Sequence, residues 1–243
     1  MKKYQTFLWA FLKLLLLAVA ITILIYASYQ LYGYNKERTQ NEELAAKVVS
    51  VSVSKETAPI HVDFETLKQE NRDVIAWLYC EGTPINYPVV QAADNFYYLR
   101  RGTDGQYRTS GTLFVDYLNK HDFTDNNTIL YGHNMKNGTM FGTLTQYVKQ
   151  AYYDAHPTMY LLTPEKEFKV KLIAGATVNS TSSIYKLPLA DAYKENFISE
   201  AREKSTFQSE YTFLPDDKFV MFSTCSYSYN DARYVLIGLL EEL

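Results

Sequence analysis

The sequence predicts a mainly β domain of about 180 residues, closed as a barrel of about eight strands with a few peripheral helices and preceded by a membrane-spanning helix. Eight short apolar segments follow one another with turn residues between them. Tyrosine supplies 22 of the 37 aromatic residues, and flat amphipathic rings suit half-buried strands. A long uncharged apolar segment comes before all of these strands.

The apolar segment is residues 14–35, in which no side chain is charged. At about 1.5 Å per residue, a helix of this length just crosses a hydrocarbon core of roughly 30 Å. Lys2, Lys3 and Lys13 precede it and favour a cytoplasmic N-terminus. The predicted organisation is a cytoplasmic segment 1–13, a transmembrane anchor 14–35, an extracellular stalk 36–62 and a core domain 63–243.

A cleaved signal peptide is the alternative for this segment, because Ala18-Val19-Ala20 imitates a small-x-small cleavage site. Only four apolar residues separate Lys13 from that site, however, and the apolar run continues beyond it. A retained single-pass anchor in the cell membrane is therefore the prediction.

The rest of the chain is acidic, with 21 basic and 27 acidic side chains after residue 35. A domain with a net negative charge does not attract a phosphate backbone, so nucleic acid is excluded as a partner. The two cysteines, Cys80 and Cys225, have no zinc-type spacing. Neither a metal site nor a cofactor is predicted.

Strands dominate the predicted domain, and helices are few. Asp63 is expected to cap a short helix at 64–71, and two further helical stretches are predicted near 141–149 and 189–204. The predicted strands are 77–80, 85–90, 112–115, 128–131, 159–162, 168–176, 219–224 and 234–240.

Two of these strands end in residues that can carry chemistry. The strand at 128–131 is followed by Gly132 and His133, which places the histidine at the strand's rim. A solvated or hydrogen-bonded histidine is the alternative at such a position. Asp116, at another strand end, is expected to cap a turn, with orientation of His133 as its alternative role.

The strand at 219–224 leads into Cys225, and the next strand begins at Arg233. A hairpin through the intervening loop returns Arg233 to the neighbourhood of Cys225. A thiolate is a nucleophile whose pKa is lowered by a nearby cation, and arginine can hold a carbonyl oxygen on which negative charge develops. With His133 as proton donor and acceptor, the set indicates acyl transfer through a thioester. A Cys80–Cys225 disulfide in a membrane-tethered binding domain remains open from the spacing alone.

The motifs resemble those of the class B sortases, in the same order over roughly residues 63–243. The segments that carry the resemblance are 77–91, 94–99, 111–116, 131–135, 140–142 and 223–225, together with Arg233.

This resemblance implies a sortase-type barrel and a cysteine transpeptidase, with His133, Cys225 and Arg233 as catalytic residues. It implies further that Asn95, Leu99, Tyr131 and Ser223 line the substrate groove and that Cys80 is a buried strand residue. Similar enzymes cleave a C-terminal sorting motif of a secreted surface protein after its Thr and transfer the acyl group to an amine of the peptidoglycan precursor, lipid II.

Two features leave alternatives within this family. Met221-Phe222 and Ser226-Tyr227 depart from the commonest class B pattern, and we expect these positions to lie in the groove. A pilin polymerase, with a pilin lysine as the acceptor, is the alternative role. The Asp-Pro-aromatic lid motif of many pilus sortases does not occur upstream of Trp77.

Overall fold

The first element is an α-helix, α1, at Lys2–Val48. The computed structural model describes residues 2–52, 57–226 and 228–243, so residues 53–56 of the predicted stalk and Tyr227 lie outside the described residues. Within these ranges, one helix is long and apolar enough to cross a membrane. The chain divides into two compact units: the first ends at Gln40, and the second spans Asn41–Leu243.

The second unit includes the residues just before the barrel. The last turns of α1 bury Ala45 and Val48, and β1 (Val49–Val51) pairs with β2 (Ile60–Val62) in an antiparallel ladder. These residues share one core cluster with Trp77 and Phe114 of the barrel region. Apolar side chains between 45 and 62 therefore pack into the same core as those of the barrel strands.

The short helix α2 (Phe64–Glu70) follows, with the predicted cap. Oδ1 of Asp63 accepts a hydrogen bond from the backbone N–H of Thr66 at 3.0 Å, and Oδ2 accepts one from its hydroxyl at 2.6 Å. These bonds satisfy the exposed donors at the helix start and lower the pKa of Asp63.

Eight strands form a closed barrel, which confirms the predicted fold class. Around the barrel the order is β10, β8, β7, β3, β4, β5, β6 and β9, with β9 paired back to β10. The strands are β3 (Val74–Tyr79), β4 (Asn86–Val90), β5 (Leu113–Val115), β6 (Asn127–Tyr131), β7 (Thr158–Leu162), β8 (Glu167–Asn179), β9 (Phe219–Cys225) and β10 (Ala232–Glu242).

The neighbours β6 and β9 run parallel, with Tyr131 opposite Ser223. Their interiors are apolar and fully buried, as Ile129 and Met221 show. Because the two strands run in the same direction, both end at the same rim of the barrel, and the polar residues that follow them in the sequence meet there.

Two further α-helices are α3 (Gln150–Ala155) and α4 (Lys194–Glu203). The stretch predicted as helical at 141–149 contains a 3-10 helix, Leu144–Val148. Phe141, Leu144 and Tyr147 are all fully buried. Their spacing of three matches the period of a 3-10 helix, so the core selects that geometry over an α-helix.

Candidate active site

A pocket of about 220 Å³ opens at the rim where β6 and β9 end. The seven residues proposed from the sequence as catalytic or substrate-binding all line it. Its lining consists of Asn95, Leu99, Phe114, Tyr131, Gly132, His133, Ser223, Thr224, Cys225 and Arg233. The fold thus collects in one place residues that lie up to 138 positions apart in the sequence.

Cys225 is the last residue of β9, and Arg233 is the second residue of β10. The two are paired in the antiparallel register of these strands. A backbone hydrogen bond from Ser226 N to Ala232 O, at 2.9 Å, closes the connecting loop behind them. The predicted hairpin therefore places the guanidinium-bearing side chain beside the thiol-bearing one.

His133 follows β6 after Gly132. A Cβ added to Gly132 would lie 2.5 Å from Cδ2 of Leu113 and 2.6 Å from Cδ2 of Phe141. Glycine is needed here because these core side chains approach the backbone closely. Nε2 of His133 lies 2.7 Å from the backbone carbonyl oxygen of Leu99. A carbonyl only accepts hydrogen bonds, so the proton of this bond is on Nε2.

Side chains fasten the two strand ends to each other. The hydroxyl of Thr224 donates to the Gly132 carbonyl at 2.8 Å. Nδ2 of Asn134 donates to the Cys225 carbonyl at 2.7 Å. Because these bonds join the residues adjacent to His133 with the end of β9, they fix the spacing of the imidazole and the thiol.

Tyr185 adjoins this site through Ser223, although no sequence pattern identifies it. It lies in a 3-10 helix after β8, and its hydroxyl is 2.7 Å from Oγ of Ser223. Burial is the main reason that the pKa of Tyr185 rises to about 12, and Cys225 and Arg233 lie close enough to influence that pKa. The hydroxyl therefore remains protonated at neutral pH.

Asp116 has two functions at the edge of the pocket. Oδ1 accepts from the backbone N–H of Leu118 at 3.0 Å, which is the predicted turn-capping role. Oδ2 accepts from Nδ2 of Asn95 and from the hydroxyl of Tyr131, both at 2.9 Å. Burial and the Asp116 charge raise the pKa of Tyr131. Asp116 thus orients two of the predicted groove residues.

The two cysteines occupy different environments, and both are free thiols. Cys80 is fully buried, with Sγ 3.6 Å from the Thr158 carbonyl oxygen and 3.9 Å from the Tyr147 hydroxyl. Burial raises the pKa of the Cys80 thiol. Cys225 is partly exposed to the pocket.

The expectation that Met221 and Phe222 lie in the groove is wrong. Both are fully buried, on opposite faces of β9, and the ring of Phe222 packs edge-on against Phe141 at 5.8 Å. Ser226 directly follows the strand, and its hydroxyl is 2.9 Å from that of Ser228. Neither buried residue can therefore touch a ligand in the pocket.

The pocket combines a thiol, an imidazole and a guanidinium. These are the groups that acyl transfer needs: a nucleophile, a proton carrier and a fixed cation for a developing oxyanion. Among the residues that the structure describes, no group of three His, Cys, Asp or Glu side chains could hold a metal ion.

The chain is similar to known proteins over most of its length. It is 28% identical over 227 residues to sortase B of Staphylococcus aureus, covering 92% of this chain and 93% of the relative. The structure of a Staphylococcus aureus sortase B–substrate complex matches with a TM-score of 0.76 and 26% identity, over 87% of this chain and 99% of that one.

A third similarity is to the crystal structure of a Streptococcus pyogenes class B sortase involved in pilus biogenesis. It is 32% identical, with a TM-score of 0.68, and the match covers 74% of this chain and 98% of that one. No family model matches the chain.

Proposed function

This chain belongs to the class B sortases, cysteine transpeptidases of the cell-wall anchoring kind, and within that family we propose Cys225 as the nucleophile, His133 as the acid and base, and Arg233 as the oxyanion-stabilising residue. The observation that carries this proposal is the pairing of Arg233 with Cys225 across β9 and β10, in the same pocket as His133.

In the first half-reaction, the Cys225 thiolate attacks the carbonyl carbon of the Thr residue in the substrate's sorting motif. The guanidinium of Arg233 stabilises the negative charge on the carbonyl oxygen. His133 donates a proton to the departing amine, and the C–N bond breaks. The product is a thioester between Cys225 and the substrate, with the C-terminal fragment released.

In the second half-reaction, an amine of the peptidoglycan precursor attacks the thioester. His133 takes the proton from this amine, and the Cys225 thiolate leaves. One amide bond is broken and one is formed, so no cofactor or energy source is consumed. Asn95, Leu99, Tyr131 and Ser223 line the part of the pocket that we assign to the sorting motif.

The first test uses the full chain in detergent with quenched fluorescent peptides that contain NPxTN-, SPxTG- or LPxTG-like motifs. We expect one of these to be cleaved by the parent and not by Cys225→Ala. Cys80→Ala is the matched control. It removes the second thiol of the protein, which lies outside the pocket, and should leave cleavage unchanged. Equal cleavage by the parent and by Cys225→Ala, or no cleavage of any peptide, would contradict the proposal.

The proposed location is the cell membrane, with a cytoplasmic N-terminus and the catalytic domain outside. The support is the apolar helix together with the lysines that precede it. A membrane-impermeant maleimide added to intact cells should then label Cys225. Labelling only after cell lysis would contradict this topology and place the catalytic domain in the cytoplasm.

A pilin lysine as the acceptor is the second candidate. It is favoured by the 32% identity to a class B sortase involved in pilus biogenesis. Incubation of the enzyme with a pilin subunit should give ladders of covalent oligomers if this is the acceptor. Incorporation of a peptidoglycan-type amine without ladders would favour the cell-wall role.

A further inference from the structure

His133 is held by a backbone group that belongs to a distant part of the chain. Its Nε2–H donates to the carbonyl of Leu99, which lies in the 3-10 helix Tyr97–Arg100. At 2.7 Å this is a short hydrogen bond, and it fixes both the tautomer and the orientation of the ring. The imidazole therefore keeps its position only while the Leu99 carbonyl keeps its own.

One side of this 3-10 helix is anchored by Tyr98, which is 3% exposed. The Tyr98 hydroxyl donates to Oδ2 of Asp73 at 2.7 Å and accepts from Nδ2 of Asn71 at 2.8 Å. The Tyr98 carbonyl accepts from the backbone N–H of Thr112 at 3.1 Å. Residue 98 is thus fixed in place, whereas the neighbouring Leu99 is 38% exposed.

Gly111 packs directly against the two carbonyls. A Cβ at this position would lie 2.6 Å from the Tyr98 oxygen, 2.7 Å from the Leu99 oxygen and 3.0 Å from the Leu99 carbonyl carbon. All three atoms are backbone atoms, so no side chain can rotate away to make room. Because Tyr98 is anchored, the displacement would fall on the Leu99 carbonyl.

We propose that Gly111 is a positioning residue for catalysis: the absence of a side chain there lets the Leu99 carbonyl reach His133 and hold its ring. A side chain at 111 moves that carbonyl by several tenths of an ångström, which stretches the 2.7 Å hydrogen bond past its optimal length and weakens it. The ring then loses its fixed tautomer and its aim at the reacting atoms.

Gly105 provides a matched control. Both glycines have a positive φ, +58° at Gly111 and +74° at Gly105, so alanine strains the backbone at either one. A Cβ at Gly105 would have only the Tyr97 hydroxyl near it, at 4.0 Å. Comparison of Gly111→Ala with Gly105→Ala therefore separates contact with the Leu99 carbonyl from backbone strain alone.

The experiment records nitrogen-15 spectra of the histidine rings in the full chain, labelled on histidine and held in detergent micelles. His133→Gln assigns the His133 signal. At a pH at which the imidazole is neutral, we expect the parent and Gly105→Ala to carry the His133 proton on Nε2, and Gly111→Ala to show a mixture of tautomers. In peptide cleavage, kcat of Gly111→Ala should fall by about 10- to 100-fold while KM changes little.

A neutral His133 ring in the parent with its proton on Nδ1 would overturn the inference, and this measurement needs no variant. So would an unchanged His133 signal in a folded Gly111→Ala, or an equal loss in Gly105→Ala. The inference rests on the proposed role of His133. Its failure is nevertheless distinguishable, because the tautomer is read from the ring whereas the proposed function is read from peptide cleavage by the parent.

Discussion

Arg233 lies directly opposite Cys225 in the antiparallel register of β10 and β9. Opposite residues of such a pair have their Cβ atoms about 4.5–5.5 Å apart and their side chains on the same face of the sheet. The nucleophile and the proposed oxyanion-binding group are therefore positioned by the barrel's own hydrogen-bond ladder. A rigid ladder supplies the orientation on which an electrostatic contribution to catalysis depends.

Arg233→Lys should reduce kcat/KM by about 100-fold or more, even though the positive charge is kept. A lysine ammonium cannot reproduce the planar fork of donors, and loss of one oxyanion donor typically costs about 10²–10³ in kcat. Steady-state peptide cleavage measures this effect. Arg72→Lys, at an exposed position before β3, is the control and should behave as the parent. Near-parental turnover of Arg233→Lys would remove Arg233 from the mechanism.

The two thiols should differ sharply in alkylation by iodoacetamide. Cys225 opens to the pocket, whereas Cys80 is fully buried and its thiol pKa is raised by burial, which keeps it in the unreactive protonated form at neutral pH. Mass spectrometry should find one modified cysteine in the native protein, located at Cys225, and two after denaturation. Rapid modification of both thiols in the native state would contradict this description of Cys80.

Asp116→Asn should lower the free energy of unfolding by about 1–3 kcal/mol, because the new amide group faces two hydrogen-bond donors and a buried polar group loses its partners. The donors are Nδ2 of Asn95 and the hydroxyl of Tyr131. Both residues line the groove, so KM for the sorting peptide should rise more than kcat falls.

Urea unfolding and steady-state kinetics test these two expectations for Asp116→Asn. Asp154→Asn, on the exposed side of α3, is the matched control, and both quantities should stay near the parental values. A rise in KM that is no larger for Asp116→Asn than for the control would show that the carboxylate does not orient the groove.

Tyr185→Phe should reduce kcat/KM by about threefold to tenfold, the equivalent of one hydrogen bond. The variant removes only the hydroxyl that pairs with Oγ of Ser223, and the ring keeps its packing. Tyr193→Phe is the control, because Tyr193 is 59% exposed. If both variants cleave peptide as the parent does, the Tyr185–Ser223 contact has no part in substrate binding.

The sequence by itself determined those features that depend on local pattern. Eight segments of alternating or continuous apolar residues predicted the eight barrel strands, and Asp63 predicted a helix start that the structure contains. The approach of Arg233 to Cys225 was also predictable, because a hairpin with a medium loop brings together residues that are near in sequence.

Only the tertiary structure decided the contacts between distant segments. The bond of His133 to Leu99, the contact of Tyr185 with Ser223 and the dual role of Asp116 all join segments that are separate in the sequence and meet only in the folded barrel. No local pattern encodes that order. The parallel pairing of β6 with β9 joins segments some 90 residues apart, and it is selected by the burial of both strands in one closed core.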